Sequence, residues 1–117
     1  MGVLCALFAL VTAAPASAHA MLERTSPAAD GIVAHAPPDV VVTFSEAVSL
    51  VPGAVRVYDG ALREVDTGTA SHPGGDPTSA AVALAPGLGA GTYTVTWRVV
   101  SADSHPVSGA FTFQIGF

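Results

Sequence analysis

The ten residues from Gly91 to Val100 (GTYTVTWRVV) carry the clearest structural pattern in this chain of 117 residues. Apolar and polar side chains alternate there, with Tyr93, Val95, Trp97 and Val99 on one parity. Successive side chains of a strand point to opposite faces, so the alternation predicts a strand with one buried face. Trp97 is therefore predicted to belong to the core.

Several other segments have the composition of short strands. The sequence contains twelve glycines and nine prolines, and no helical period follows residue 18. The strand candidates are His19–Thr25, Val40–Ser45, Ala54–Tyr58, Ala80–Leu84 and Phe111–Ile115, with Leu62–Asp66 as a weaker one and Thr67–Ser79 predicted to be loop. Short strands separated by turn residues predict an all-β sandwich or barrel.

The amino-terminal segment differs from the rest of the chain. Val3–Ala14 is almost wholly apolar, and Ala16-Ser17-Ala18 has the form of a signal-peptidase site. The apolar run of about twelve residues is too short to span a bilayer. We therefore expect residues 1–18 to be a signal peptide, and 19–117 to be one exported domain, periplasmic or extracellular. The n-region contains no lysine or arginine, so an upstream start is an alternative.

Charge and cysteine content exclude several classes of protein. The chain contains nine acidic residues, four arginines and no lysine, so its net charge is −5. This charge argues against nucleic acid or an anionic membrane as partner. Cys5 is the only cysteine and would be removed with the signal peptide. The cleaved chain would then have neither a disulfide nor a thiolate metal site.

Asp103 and His105 are candidate metal ligands. In an extended backbone, residues two apart project to the same face, and their Cα atoms are about 6.5–7 Å apart. Pro106 favours this extended geometry at His105. Cleavage before His19 would add an α-amine and a second imidazole. Three nitrogens and one carboxylate oxygen suit Cu(II), whereas Cu(I) prefers sulfur, and in the cleaved chain Met21 is the only sulfur-containing residue. Zinc accepts the same donors.

Five motifs follow one another along the chain: His19-Ala20, Ser26–Gly31, Val42–Glu46, Gly91–Arg98 and Ser101–Gly109. In these motifs the chain resembles the CopC family of exported bacterial copper-binding proteins, which is also found fused to the CopD membrane copper-transport domain. The resemblance implies a seven-stranded Greek-key, immunoglobulin-like sandwich or barrel. It also implies one Cu(II) ion bound by His19, Asp103 and His105, with a CopD-type transporter as partner. Glu46 matches a family glutamate near the site, and we assign it a hydrogen bond to the terminal amine.

One departure from the family bears on the oxidation state of the ion. Some members carry a methionine-rich loop that binds Cu(I), whereas Leu50–His72 contains no methionine here. This predicts a single Cu(II) site without a Cu(I) site. His35 and His72 lie among small residues and prolines, and both are predicted to be solvated.

Three functions fit these residues. The first is copper sequestration or delivery, in which no bond of a substrate is made or broken. The second is a small copper monooxygenase, which a terminal histidine would also suit, although the 99 residues after position 18 leave little room for a substrate surface. The third is a metal-free immunoglobulin-like adhesion module. Phe117 could end a free domain or border a fused membrane domain.

Overall fold

The computed structural model describes residues 20–116, which form two four-stranded β-sheets packed face to face. The strand order is β1-β3-β6-β5 in one sheet and β2-β8-β7-β4 in the other. The strands are β1 (Leu22–Ser26), β2 (Ile32–Val33), β3 (Asp39–Phe44), β4 (Val48–Tyr58), β5 (Asp66–Ser71), β6 (Ser79–Leu84), β7 (Gly91–Ser101) and β8 (Pro106–Ile115), with a 3-10 turn at Pro73–Gly75. The predicted all-β class is confirmed, with eight strands described where seven were expected.

The alternation in β7 predicts its burial correctly. Tyr93, Val95 and Val99 are buried between the sheets. Trp97 packs edge-on against Phe44, with ring centroids 5.2 Å apart, and its ring lies over Gly109. A Cβ at position 109 would lie 2.5 Å from Trp97 Cζ2, so only glycine fits beneath the indole. Trp97 is half-buried and packs against the core, so the prediction that it belongs to the core is confirmed only in part.

Several predicted segments differ in extent from the observed strands. Thr67–Ser79 is not all loop, because β5 covers Asp66–Ser71, while only an isolated bridge at Glu64 falls in the segment Leu62–Asp66 before β5 begins. The strand predicted from Ala54 begins at Val48 and passes through Pro52-Gly53 by a bulge, where Gly53 takes a φ of 72°. The first described strand begins at Leu22 rather than at residue 19.

Several strand ends meet at one end of the sandwich, called here the hairpin end. At this end β1 begins beside the last residue of β3, where Leu22 pairs with Phe44. There Val48 at the start of β4 also pairs with Ser101 at the end of β7, and Pro106 opens β8 opposite Val100. The hairpin end therefore consists of Ala20–Leu22, Ser45–Val48 and Ser101–Pro106.

No helix among residues 20–116 is long and apolar enough to cross a membrane.

Candidate metal site

The loop between β7 and β8 is a tight hairpin rather than an extended segment. Ser104 N–H donates to Ser101 O at 2.9 Å, and Ser101 N–H donates to His105 O at 2.9 Å. Ser104 takes a left-handed φ of 71°, as is usual for the last residue of a three-residue hairpin loop. The chain turns at Ala102 and Asp103. The predicted extended geometry of Asp103 and His105 is therefore wrong.

The turn nevertheless brings the two predicted side chains into contact. Asp103 Oδ2 lies 2.9 Å from His105 Nδ1. The other carboxylate oxygen, Oδ1, accepts a hydrogen bond from Ser101 Oγ and a longer one of 3.3 Å from His105 N–H. The His105 side chain is 64% exposed and that of Asp103 25% exposed, so the pair opens towards solvent.

The spacing of the two donor atoms suits shared coordination of one ion. Donors that bind a metal at right angles, each about 2.0–2.1 Å from it, lie about 2.9 Å apart. The separation of Oδ2 and Nδ1 equals this value. The same separation also fits a direct hydrogen bond, in which Asp103 orients the ring and leaves Nε2 as the ligating nitrogen.

The carboxyl group of Asp103 is held in its charged form. The Ser101 hydroxyl is the main cause, and the His105 side chain is the next, and together they lower the pKa of Asp103 from 3.8 to about 2. Hydrogen bonds that favour the ionised carboxylate have this effect in general. Asp103 is therefore an anion throughout the neutral range, which is the form that binds cations.

This lowered pKa predicts a specific loss of stability in acid for the copper-free protein. A carboxyl group whose folded pKa lies below its unfolded value stabilises the fold above the unfolded value, here 3.8. The contribution disappears as the pH falls through about 2. The free energies of unfolding of the wild type and of Asp103→Asn, measured by urea titration, should therefore converge as the pH falls from 3.8 to about 2. A difference that stays constant from pH 6 to pH 2 would contradict the assignment.

The start of the described chain is hydrogen-bonded to the hairpin end. Ala20 is only 5% exposed and belongs to the core. Met21 N–H donates to Ser45 Oγ at 2.9 Å, and Ser45 N–H donates to Met21 O at 2.8 Å. The chain therefore reaches position 20 at the same end of the sandwich as Asp103 and His105. The predicted ligand His19 itself lies outside the described residues.

Glu46 also lies at the hairpin end. It stands in the link between β3 and β4, between Ser45, which binds Met21, and Val48, which pairs with Ser101. Its side chain is half-buried. Within residues 20–116, no three histidine, cysteine or acidic side chains converge as a metal cluster. Of the predicted residues described, the structure brings Asp103 and His105 into contact and places Glu46 at the same end.

The two remaining histidines behave differently from each other. His35 is exposed, as predicted. His72 is half-buried, and its Nδ1 lies 2.8 Å from Ser79 O, so the prediction of a merely solvated ring is wrong.

The sequence patterns also gave no role to Ser101, whose position continues the inward parity of β7.

Comparison with known proteins assigns the family. The CopC domain model matches residues 22–116. The chain therefore belongs to the CopC domain family.

Relatives of this chain are named for copper resistance and copper transport. Copper resistance protein C of Escherichia coli is 34% identical over 110 residues, covering 86% of this chain and 83% of the relative. Copper transport protein CutJ of Bacillus subtilis is 33% identical over 99 residues, covering 85% of this chain but 18% of CutJ. The crystal structure of PcoC, a methionine-rich copper resistance protein from Escherichia coli, superposes with a TM-score of 0.68 at 35% identity, covering 84% of this chain and 99% of PcoC.

Proposed function

We propose that this chain is an exported protein that binds one Cu(II) ion at the hairpin end and holds it for sequestration or delivery. The observation that carries the proposal is the 2.9 Å contact between Asp103 Oδ2 and His105 Nδ1. Its surroundings support the proposal, because the chain reaches Ala20 at that end. The mechanism is binding and exchange of the ion, without a bond being made or broken in a substrate.

The proposed ligands are the α-amine and imidazole of His19, the carboxylate of Asp103 and the imidazole of His105. His19 precedes the anchored Ala20 by a single residue, so its amine and ring would enter the site together. An ionised carboxylate with three nitrogens matches the tetragonal preference of Cu(II). Glu46 would accept a hydrogen bond from the terminal amine.

The sulfur content supports a Cu(II) site without a Cu(I) site. Cu(I) favours thioether and thiolate ligands. Met21 is the only methionine after residue 18, and its side chain is exposed. PcoC, by contrast, is described as methionine-rich. A single thioether cannot form a sulfur cluster for Cu(I).

Delivery to a membrane transporter is the proposed fate of the ion. The apolar residues 1–18 with their small-x-small site support export. CutJ, a copper transport protein, contains a segment similar to this chain within a much longer sequence. This supports a CopD-type membrane copper transporter as the partner.

Titration of the chain beginning at His19 with Cu(II), followed by electron paramagnetic resonance, tests the proposal. We expect one equivalent to bind, with a tetragonal spectrum that shows coupling to nitrogen. A matched control is His35→Ala, which removes an exposed imidazole and should leave the spectrum unchanged. A wild-type chain that binds Cu(II) no more tightly than the double variant Asp103→Ala/His105→Ala would refute the site.

A further inference from the structure

We propose that Ser101 is a positioning residue for the copper site, because its hydroxyl fixes the Asp103 carboxylate so that Oδ2 faces His105. The inference rests on the proposed function and deepens it. Ser101 is the last residue of β7, and its main-chain N–H and C=O already close the hairpin through His105 O and Ser104 N–H. The side chain adds a separate constraint on the loop.

Burial makes the hydroxyl dependent on partners inside the protein. Ser101 is 3% exposed and continues the inward face formed by Tyr93, Val95 and Val99. A buried hydroxyl without a hydrogen bond is costly, so such groups are nearly always paired. Ser101 Oγ has two acceptors within reach, Asp103 Oδ1 and His105 O, the latter at 3.0 Å.

Asp103 is the acceptor that depends on this hydroxyl. A hydroxyl carries one proton and donates to one acceptor at a time. His105 O also receives the Ser101 main-chain N–H at 2.9 Å, so it keeps a donor without the side chain. Asp103 Oδ1 would lose its nearest donor and keep the His105 N–H contact of 3.3 Å, which is longer than a normal N–H···O bond.

The consequence is a preorganised carboxylate. With Oδ1 held from the interior by Ser101, the only remaining oxygen, Oδ2, is turned towards the exposed imidazole of His105. Without the hydroxyl, a carboxylate that is 25% exposed can rotate into water. Groups that orient metal ligands in this way typically contribute 10–100-fold to affinity.

The test compares Ser101→Ala with the matched control Ser108→Ala, which removes a hydroxyl from an exposed position of β8. The first measurement is the tautomer of His105 in the copper-free protein, read from ¹⁵N chemical shifts at pH 8. Wild type and Ser108→Ala should carry the proton on Nδ1, facing Asp103. Ser101→Ala should move the population towards Nε2–H.

The second measurement is Cu(II) affinity by competition with a chelator. Ser101→Ala should bind about 10–100-fold more weakly, whereas Ser108→Ala should match wild type. Ser101→Thr, which restores a hydroxyl, should recover both the affinity and the tautomer.

Two results would overturn the inference. One is a Ser101→Ala variant with wild-type affinity and tautomer. The other is a loss of affinity accompanied by an unchanged His105 tautomer and a lowered melting temperature, which would make the role purely structural. If the wild-type chain binds no copper, the proposed function fails, but the copper-free tautomer comparison still decides whether Ser101 positions Asp103.

Discussion

Acetylation of the α-amine of the chain that begins at His19 is expected to weaken Cu(II) binding by at least about 100-fold. Changes in groups that only orient ligands cost 10–100-fold, so removal of a direct donor should cost more. Acetylation converts the amine to an amide, which removes its basic lone pair and with it the chelate ring proposed between the amine and the imidazole. Affinity should be measured by competition with a chelator of known strength.

The composition of the chain makes acetylation selective for the terminal amine. The sequence contains no lysine, so an amine-reactive ester can modify only the terminal amine. The main-chain and core contacts of Ala20 and Met21 do not involve that amine, so the melting temperature without copper should stay unchanged and serves as the control. The uncleaved chain, in which residues 1–18 block the same amine, should bind as weakly. Undiminished binding after complete acetylation would remove the terminal amine from the ligand set.

Most of the sandwich was predictable, because buried faces leave a period of two in the sequence. In β7 and β8 the alternation places Tyr93, Val95, Phe113 and Ile115 in the core, as observed. Strand β5 was missed because it is an edge strand with mostly exposed, small and polar residues, so it has no apolar alternation. Its register depends on pairing with β6, which a local sequence pattern does not contain.

The start of β4 was missed for a different reason. Pro52-Gly53 has the composition of a turn, yet the strand continues through it by a bulge. Gly53 supplies the positive φ, and the Arg56 guanidinium lies over it, where a Cβ would come within 2.4 Å of Arg56 Nε. A proline and a glycine therefore mark an irregular strand here rather than its boundary.

The contact between Asp103 and His105 was predicted, but with the wrong backbone geometry. A spacing of two can bring side chains together either along a strand or across a tight turn. The sequence did not indicate the turn, because its left-handed φ is adopted by Ser104 rather than by a glycine. Ser101 could have been found by extending the inward parity of β7 by one step and asking what a buried hydroxyl binds there.

His105→Ala is the second change from which we expect a large effect, again a loss of at least about 100-fold in Cu(II) affinity, since it removes a proposed direct donor. The nitrogen couplings in the electron paramagnetic resonance spectrum should fall from three to two. His35→Ala removes the same side chain from an exposed position and is the matched control. An unchanged affinity in His105→Ala would exclude this imidazole as a ligand.

A double-mutant cycle with Asp103→Ala then decides how the carboxylate acts. The contact of 2.9 Å between Oδ2 and Nδ1 fits both shared coordination and orientation of the ring. If Asp103 only orients His105, its removal should cost nothing further once the imidazole is gone. If Asp103 binds the ion itself, as we propose, Asp103→Ala should still weaken binding in the His105→Ala background by about 10-fold or more. Complete loss of the Asp103 effect in that background would reassign the carboxylate from ligand to orienting group.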